Sequence, residues 1–209
     1  MNLYRTSWKD RVTTNSRVVD QITQELVYDQ HSGVNQLHSG VEVDFILRPM
    51  DNLNIKGFAS FGDWKYDDNV YTRTYDENQN LLDVTESDVK GGRVVDAAQV
   101  NLGLGAEYFV TDKFSIDADY RYYSKLYANQ IVKNNIELPD YNLVDLGLNY
   151  RMNVADGNVN FSLNVNNLFS QVYVAELRRA NAVTPGEQTY RGLSLNDDGF
   201  FGDGRTWNF

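Results

Sequence analysis

From Tyr141 to Phe169 the chain reads YNLVDLGLNYRMNVADGNVNFSLNVNNLF. Val144, Leu146, Leu148, Tyr150 and Met152 share one parity, and Asp145, Gly147, Asn149 and Arg151 share the other. After Ala155-Asp156-Gly157 the alternation resumes, with Val159, Phe161, Leu163 and Val165 against Asn160, Ser162, Asn164 and Asn166. A period of two over this length is that of paired β-strands with one apolar and one polar face. Asp-Gly suits a tight hairpin tip, because its backbone tolerates positive φ. Four amide or hydroxyl side chains in succession are more than a solvated sheet edge usually carries. An apolar band outside and a wet face inside is the pattern of a transmembrane β-barrel.

The same alternation recurs on either side. Tyr4, Thr6 and Trp8 oppose Arg5, Ser7 and Lys9; Val41, Val43, Phe45 and Leu47 alternate with Glu42, Asp44 and Arg48. A short turn at Pro49–Asn52 follows, where proline is expected to end the ladder. Leu53, Ile55, Gly57, Ala59 and Phe61 then oppose Asn54, Lys56, Phe58 and Ser60. Val100, Leu102, Leu104, Ala106 and Tyr108 stand against Asn101, Gly103, Gly105 and Glu107. Beyond a turn at Thr111–Lys113, Phe114, Ile116, Ala118, Tyr120 and Tyr122 stand against Ser115, Asp117, Asp119, Arg121 and Tyr123.

The connections alternate in length. Residues 11–35 are polar, with one short strand expected around Arg17–Tyr28. Asp67 to about Asp96 and Ser170 to Gly202 are long polar stretches, Ala128–Asp140 is intermediate, and Arg205–Phe209 is a last partial strand. Short turns at one end and long loops at the other fit a barrel with tight periplasmic turns. Aromatics gather at strand ends: Tyr108, Phe114 and Tyr150 beside short turns, Trp64, Tyr66, Tyr127 and Tyr141 beside long loops. Two such belts mark the two interfaces of a membrane.

Composition sets limits. Hydrophobic residues make up 42% of the 209, mean hydropathy is -0.51, and no apolar run is long enough for a membrane-spanning helix. Barrel strands need apolar residues only at alternate positions. Without cysteine there is no disulfide framework and no thiolate metal site. A net charge of -10 argues against a nucleic-acid partner. Met1 is followed by NLYRTSWKDR, which has no apolar core of an export signal. A membrane chain opening this way is expected to be a piece of a longer one.

Several clusters carry side chains capable of chemistry. His31 and His38 lie seven apart without carboxylates spaced around them and read as loop residues. Gly103-x-Gly105 sits inside a strand, so it is no phosphate loop; small residues there admit a close neighbour. Asp117 and Asp119 share a face with Arg121 and Lys125, which makes a charge network rather than an acid/base pair. No Ser-His-Asp arrangement or paired-carboxylate site appears, so no enzyme is expected. Asp197, Asp198 and Asp203 carry oxygen ligands suited to Ca²⁺, but a solvated loop is the expectation, with no cofactor or metal. Asn101, Asp117, Asp119, Arg121, Asn149, Arg151, Asn160 and Asn164 are expected to face a lumen. Leu102, Leu104, Leu146, Leu148, Phe161 and Leu163 are expected to face lipid. Trp64, Tyr66, Asp67, Tyr71 and Tyr75 mix aromatic faces with hydrogen-bonding groups, as a glycan or catechol-type chelate site would. An interfacial girdle fading into a polar loop is the rival account.

Three stretches together resemble the C-terminal barrel of TonB-dependent outer-membrane receptors. NVNNLF (Asn164–Phe169), with Tyr173 after it, resembles the penultimate-strand signature; GDGRTWNF (Gly202–Phe209) resembles the start of the closing strand. HSGVEVDF (His38–Phe45) resembles the Gly-Val-Glu strand, and NLYRTSWKD (Asn2–Asp10) fits the strand before it. The resemblance implies an all-β fold: about eight membrane strands, residues 1–209, from the end of a barrel of roughly 22. It implies a Gram-negative outer membrane and energy-coupled uptake of a scarce ligand such as a siderophore or glycan. The partners it implies are outer-membrane lipid, upstream strands, a plug domain and a TonB-type energy-coupling protein. A surface substrate-binding lipoprotein is a further candidate partner. The plug and coupling box are not among these residues. By parity, the turns before Leu53, Phe114 and Val159 are periplasmic, and any strand in residues 11–35 extends above the membrane. One rival is a complete eight-stranded barrel with a structural or adhesive role. Another is a soluble calyx with its apolar parity inward.

Overall fold

The computed structural model describes residues 1–209 except 21, 23, 24, 96 and 156, leaving aside also the side chains of 20, 178 and 179. In chain order the strands are β1 (Asn2–Trp8), β2 (Val12–Asp20), β3 (Glu25–Ser32), β4 (Gln36–Met50), β5 (Leu53–Tyr66), β6 (Val70–Tyr75), β7 (Leu81–Ser87) and β8 (Val100–Thr111). There follow β9 (Phe114–Ser124), β10 (Tyr141–Val154), β11 (Gly157–Asn166), β12 (Val174–Arg179), β13 (Thr189–Tyr190), β14 (Leu193–Ser194), β15 (Asp198–Phe201) and β16 (Thr206–Asn208). No helix occurs among the described residues.

Eight of these make one antiparallel sheet, in the order β1-β4-β5-β8-β9-β10-β11-β16. They are the seven strands that alternation marks in the sequence together with the last partial strand expected at Arg205–Phe209. The turns β4–β5, β8–β9 and β10–β11 lie at one end and the long connections at the other. β1 and β16 form its two edges and do not pair with each other, so the sheet is open. Ala155 enters the β10–β11 turn at φ 49°; Asp156 of that tip lies outside the described residues.

Pro49 does not end its strand. β4 runs on to Met50, and the register breaks between Leu47 and Met50 instead. Proline removes one ladder donor, and a bulge absorbs the loss.

The polar connections hold more structure than their composition announced. In place of one short strand over Arg17–Tyr28, β2 and β3 pair as a hairpin. The stretch Asp67–Asp96 contains β6 and β7, which join that hairpin in a four-stranded extension sheet, β2-β3-β6-β7. Ser170–Gly202 holds two small pairs, β12-β15 and β13-β14. All lie on the long-connection side of the wall. Two apolar clusters stand there as well: Leu126, Leu138, Val174, Leu177 and Leu193 in one, Val34, Tyr66, Val70, Val89 and Val94 in the other. Both buried clusters therefore sit in or against the connections, while the wall is one layer thick.

Candidate functional site

The registers put Asn54, Lys56, Phe58, Asn101, Gly103, Gly105, Asp117, Asp119, Arg121, Asn149 and Asn164 on one face of the wall, because residues directly opposite share a face. Glycines let larger neighbours lie flat across it. A Cβ on Gly103 would strike the Phe58 ring, one on Gly105 would strike Asp119 and Lys56, and one on Gly147 would strike the Asp117 carboxylate. Over these gaps run mated polar groups. Lys56 Nζ lies 3.0 Å from Asp119 Oδ1, and Arg121 pairs with Asp145. Asn149 donates to Asp117 at 2.8 Å and accepts from Ser162 Oγ at 2.9 Å. Asn54 donates to Glu107 at 3.2 Å, Asn101 to the Ala98 carbonyl at 2.7 Å, and Arg151 to Asn160 at 3.3 Å. Asn164 stands opposite Gly147 and Asn208. Arg121 Nε is buried and has no hydrogen-bond partner among the described residues.

The opposite face carries the apolar parity and leaves it uncovered. Leu104 is 55% exposed and Phe161 54%, with Phe45, Leu47, Tyr108, Tyr120 and Tyr150 also exposed. An apolar surface running across a sheet in this way calls for a non-aqueous neighbour.

The five aromatic and acidic candidates do not converge on one site. Trp64 stands on the polar face near the long-connection end. Its indole N–H donates to the Tyr4 hydroxyl at 2.8 Å, and its ring stacks on His38 with centroids 5.2 Å apart and planes 13° apart. Trp8 tilts against His38 at 6.4 Å, and the Arg11 guanidinium lies 5.5 Å over Trp8. Tyr66 is buried, and its hydroxyl accepts from the Ile131 N–H at 3.1 Å, so its ring packs in a core. Asp67 is exposed at the end of β5, its N–H bonded to the Asn35 carbonyl at 2.9 Å. Tyr71 and Tyr75 are on β6 in the extension sheet. The charge and hydrogen bond of Glu86 push the Tyr71 hydroxyl above its ordinary value. His31, on the same sheet, is bonded to Thr72 Oγ1 at 2.8 Å.

Other aromatic and amide contacts carried no local signal. Tyr141 stacks between Tyr123 and Tyr173, with centroids 4.9 and 4.2 Å away. Asn129 clamps Ala180, donating to its carbonyl and accepting from its N–H, both at 2.9 Å. Asn135 donates to the Asn129 carbonyl at 2.6 Å, and Lys133 Nζ lies 2.7 Å from Asp88. The connection 125–140 thus ties residues 88–93 to the segment around Ala180. Burial pushes Asp29 on β3 up, but bonds from Thr74 and Arg17 outweigh this and hold it below its ordinary value. Among the described residues no three His, Cys, Asp or Glu side chains are grouped to hold a metal ion.

A one-layer antiparallel wall, apolar on one face and wet on the other, with short turns at one end, defines the class of membrane β-barrel walls. The TonB dependent receptor-like β-barrel family matches residues 1–168, and the chain belongs to that family. None of the curated proteins compared matches it. Among solved structures it is similar to the siderophore receptor PiuA from Acinetobacter baumannii, at 15% identity and a TM-score of 0.56, over 96% of this chain and 26% of that one. The ferric-catecholate import receptor Fiu from E. coli K12, in its open form, aligns at 19% identity and a TM-score of 0.40, over 88% of this chain and 27% of that one. The chain spans about a quarter of the length of either receptor.

Proposed function

We propose that residues 1–209 are the C-terminal part of the barrel of a Gram-negative outer-membrane receptor. That receptor takes up a scarce ligand, a siderophore or a glycan, with energy from a TonB-type protein acting through a plug domain. The observation that carries this is the open eight-stranded wall within a chain of the receptor-barrel family. An open sheet in lipid leaves two rows of unpaired N–H and C=O groups, each costing several kcal/mol. The free edges of β1 and β16 therefore pair with further strands. The polar face, with Asn101, Asp117, Asp119, Arg121, Asn149, Arg151, Asn160 and Asn164, lines the lumen and faces the plug. The apolar face meets lipid, and the long connections rise outside the cell. The role is binding and passage: on the polar face Lys56 pairs with Asp119 and Arg121 with Asp145, while Asp117, Glu107 and Arg151 bond amide side chains.

The test is uptake by a strain lacking the receptor gene, complemented with the whole gene, on a panel of ferric siderophores and oligosaccharides. Saturable uptake of one ligand, abolished by a protonophore and by loss of the TonB-type protein, is the expected result. Uptake that survives both treatments would refute energy coupling.

A further inference from the structure

In the extension sheet Tyr28 of β3 stands directly opposite Tyr75 of β6, and Gln30 opposite Arg73. Thr14 of β2 stands opposite Gln30, which puts all five residues on one face. A groove of about 490 Å³ opens on that face, lined by Thr14, Tyr28, Gln30, Tyr75, Glu77 and Gln79. Its volume is in the small-ligand range. One wall is a turn built in advance. The Asp76 carboxylate accepts from the N–H groups of Asn78 and Asn80 at 2.9 and 2.7 Å, Gln79 is held at φ 64°, and Glu77 accepts from the Leu26 N–H at 3.3 Å.

The lining has a definite chemistry. Two phenol rings offer flat apolar faces with hydroxyl tips. Two primary amides, a hydroxyl and one carboxylate surround them, and none of the lining residues is cationic. Arg73, the neighbouring cation, donates to Ser32 Oγ at 3.0 Å. Residues 67–88 carry seven carboxylates against that single arginine, so the field around the groove disfavours an anionic chelate. Sugars carry both matching features, C–H faces that lie on aromatic rings and hydroxyls that exchange hydrogen bonds with amides and carboxylates.

We propose that this groove is a saccharide site in which a neutral oligosaccharide lies across Tyr28 and Tyr75, with Thr14, Gln30, Glu77 and Gln79 bonding its hydroxyls. The groove is on the extension sheet and not on the wall. It binds its sugar whether or not the barrel transports that sugar.

The whole receptor, purified in detergent, is titrated calorimetrically with maltotriose, cellotriose, xylotriose and chitotriose, and separately with ferric citrate. At least one trisaccharide binds; Tyr28→Ala and Tyr75→Ala each weaken it about tenfold. Tyr75→Phe keeps the ring and most of the affinity, which separates stacking from misfolding. Ferric citrate does not compete. Failure of all four sugars to bind, or binding unchanged in the Tyr28→Ala/Tyr75→Ala double variant, would overturn the site.

Discussion

Lys56 and Asp119 meet across a strand that belongs to neither, Nζ to Oδ1 3.0 Å, over the bare backbone of Gly105. Their strands, β5 and β9, both flank β8, and the span closes only because Gly105 has no side chain. The pair is partly solvated, with side chains 66% and 31% exposed, so it contributes about 1 kcal/mol or less. Gly105→Ala is expected to displace the pair and destabilise the barrel by about 1 kcal/mol in urea unfolding from vesicles. Lys56→Ala already removes the pair, so the double variant should lose less than the sum. Strict additivity would show that Gly105 does not serve this contact.

Sidedness follows from the turns. A cysteine at Asn78, in the β6–β7 turn, should react with an impermeant thiol reagent on intact cells. A cysteine at Asp112, in the β8–β9 turn, should react only after the outer membrane is permeabilised. Both positions are exposed. Labelling of Asp112 on intact cells would invert the topology.

Acid should loosen the long connection that contains Glu187. The Ser194 hydroxyl, with the N–H and hydroxyl of Thr184, holds the Glu187 carboxyl down to about 2 from an ordinary 4.5. A depressed pKa means that the ordered connection is favoured fully above the ordinary value. That contribution is lost as pH falls from about 4.5 through about 2. Limited proteolysis of residues 184–196 should therefore be flat near neutrality and rise within that window. Glu187→Gln should remove the acid limb and leave a pH-independent rate.

What was legible in the sequence was contrast. Leu146 against Gly147 and Phe161 against Ser162 differ so sharply that the wall strands and their shared face could be read directly. β2 carries Thr13, Asn15, Arg17 and Val19 on one side and Val12, Thr14, Ser16 and Val18 on the other. Polar residues and valines on both sides leave little hydropathy period, and the β2–β3 hairpin appeared only as weak alternation. β6 pairs threonines with tyrosines and an arginine, good strand formers without an apolar side. Tyr66 could be seen as an aromatic near a loop. Its burial could not, because Val34, Val70, Val89 and Val94 reach it from separate segments. Asn129 and Ala180 are 51 residues apart, and nothing local in either announces the clamp.

If this sheet separates lipid from a wet lumen, five consecutive positions of β10 must alternate between the two environments. Single cysteines at Leu146, Gly147, Leu148, Asn149 and Tyr150, each carrying a small fluorophore, are measured in vesicles with quenchers fixed to the lipid chains. Positions 146, 148 and 150 should be strongly quenched and 147 and 149 weakly, a period of two in phase with the apolar residues. Uniform quenching, or strong quenching at 147 and 149 in place of 146, 148 and 150, would rule out a lipid-facing apolar side.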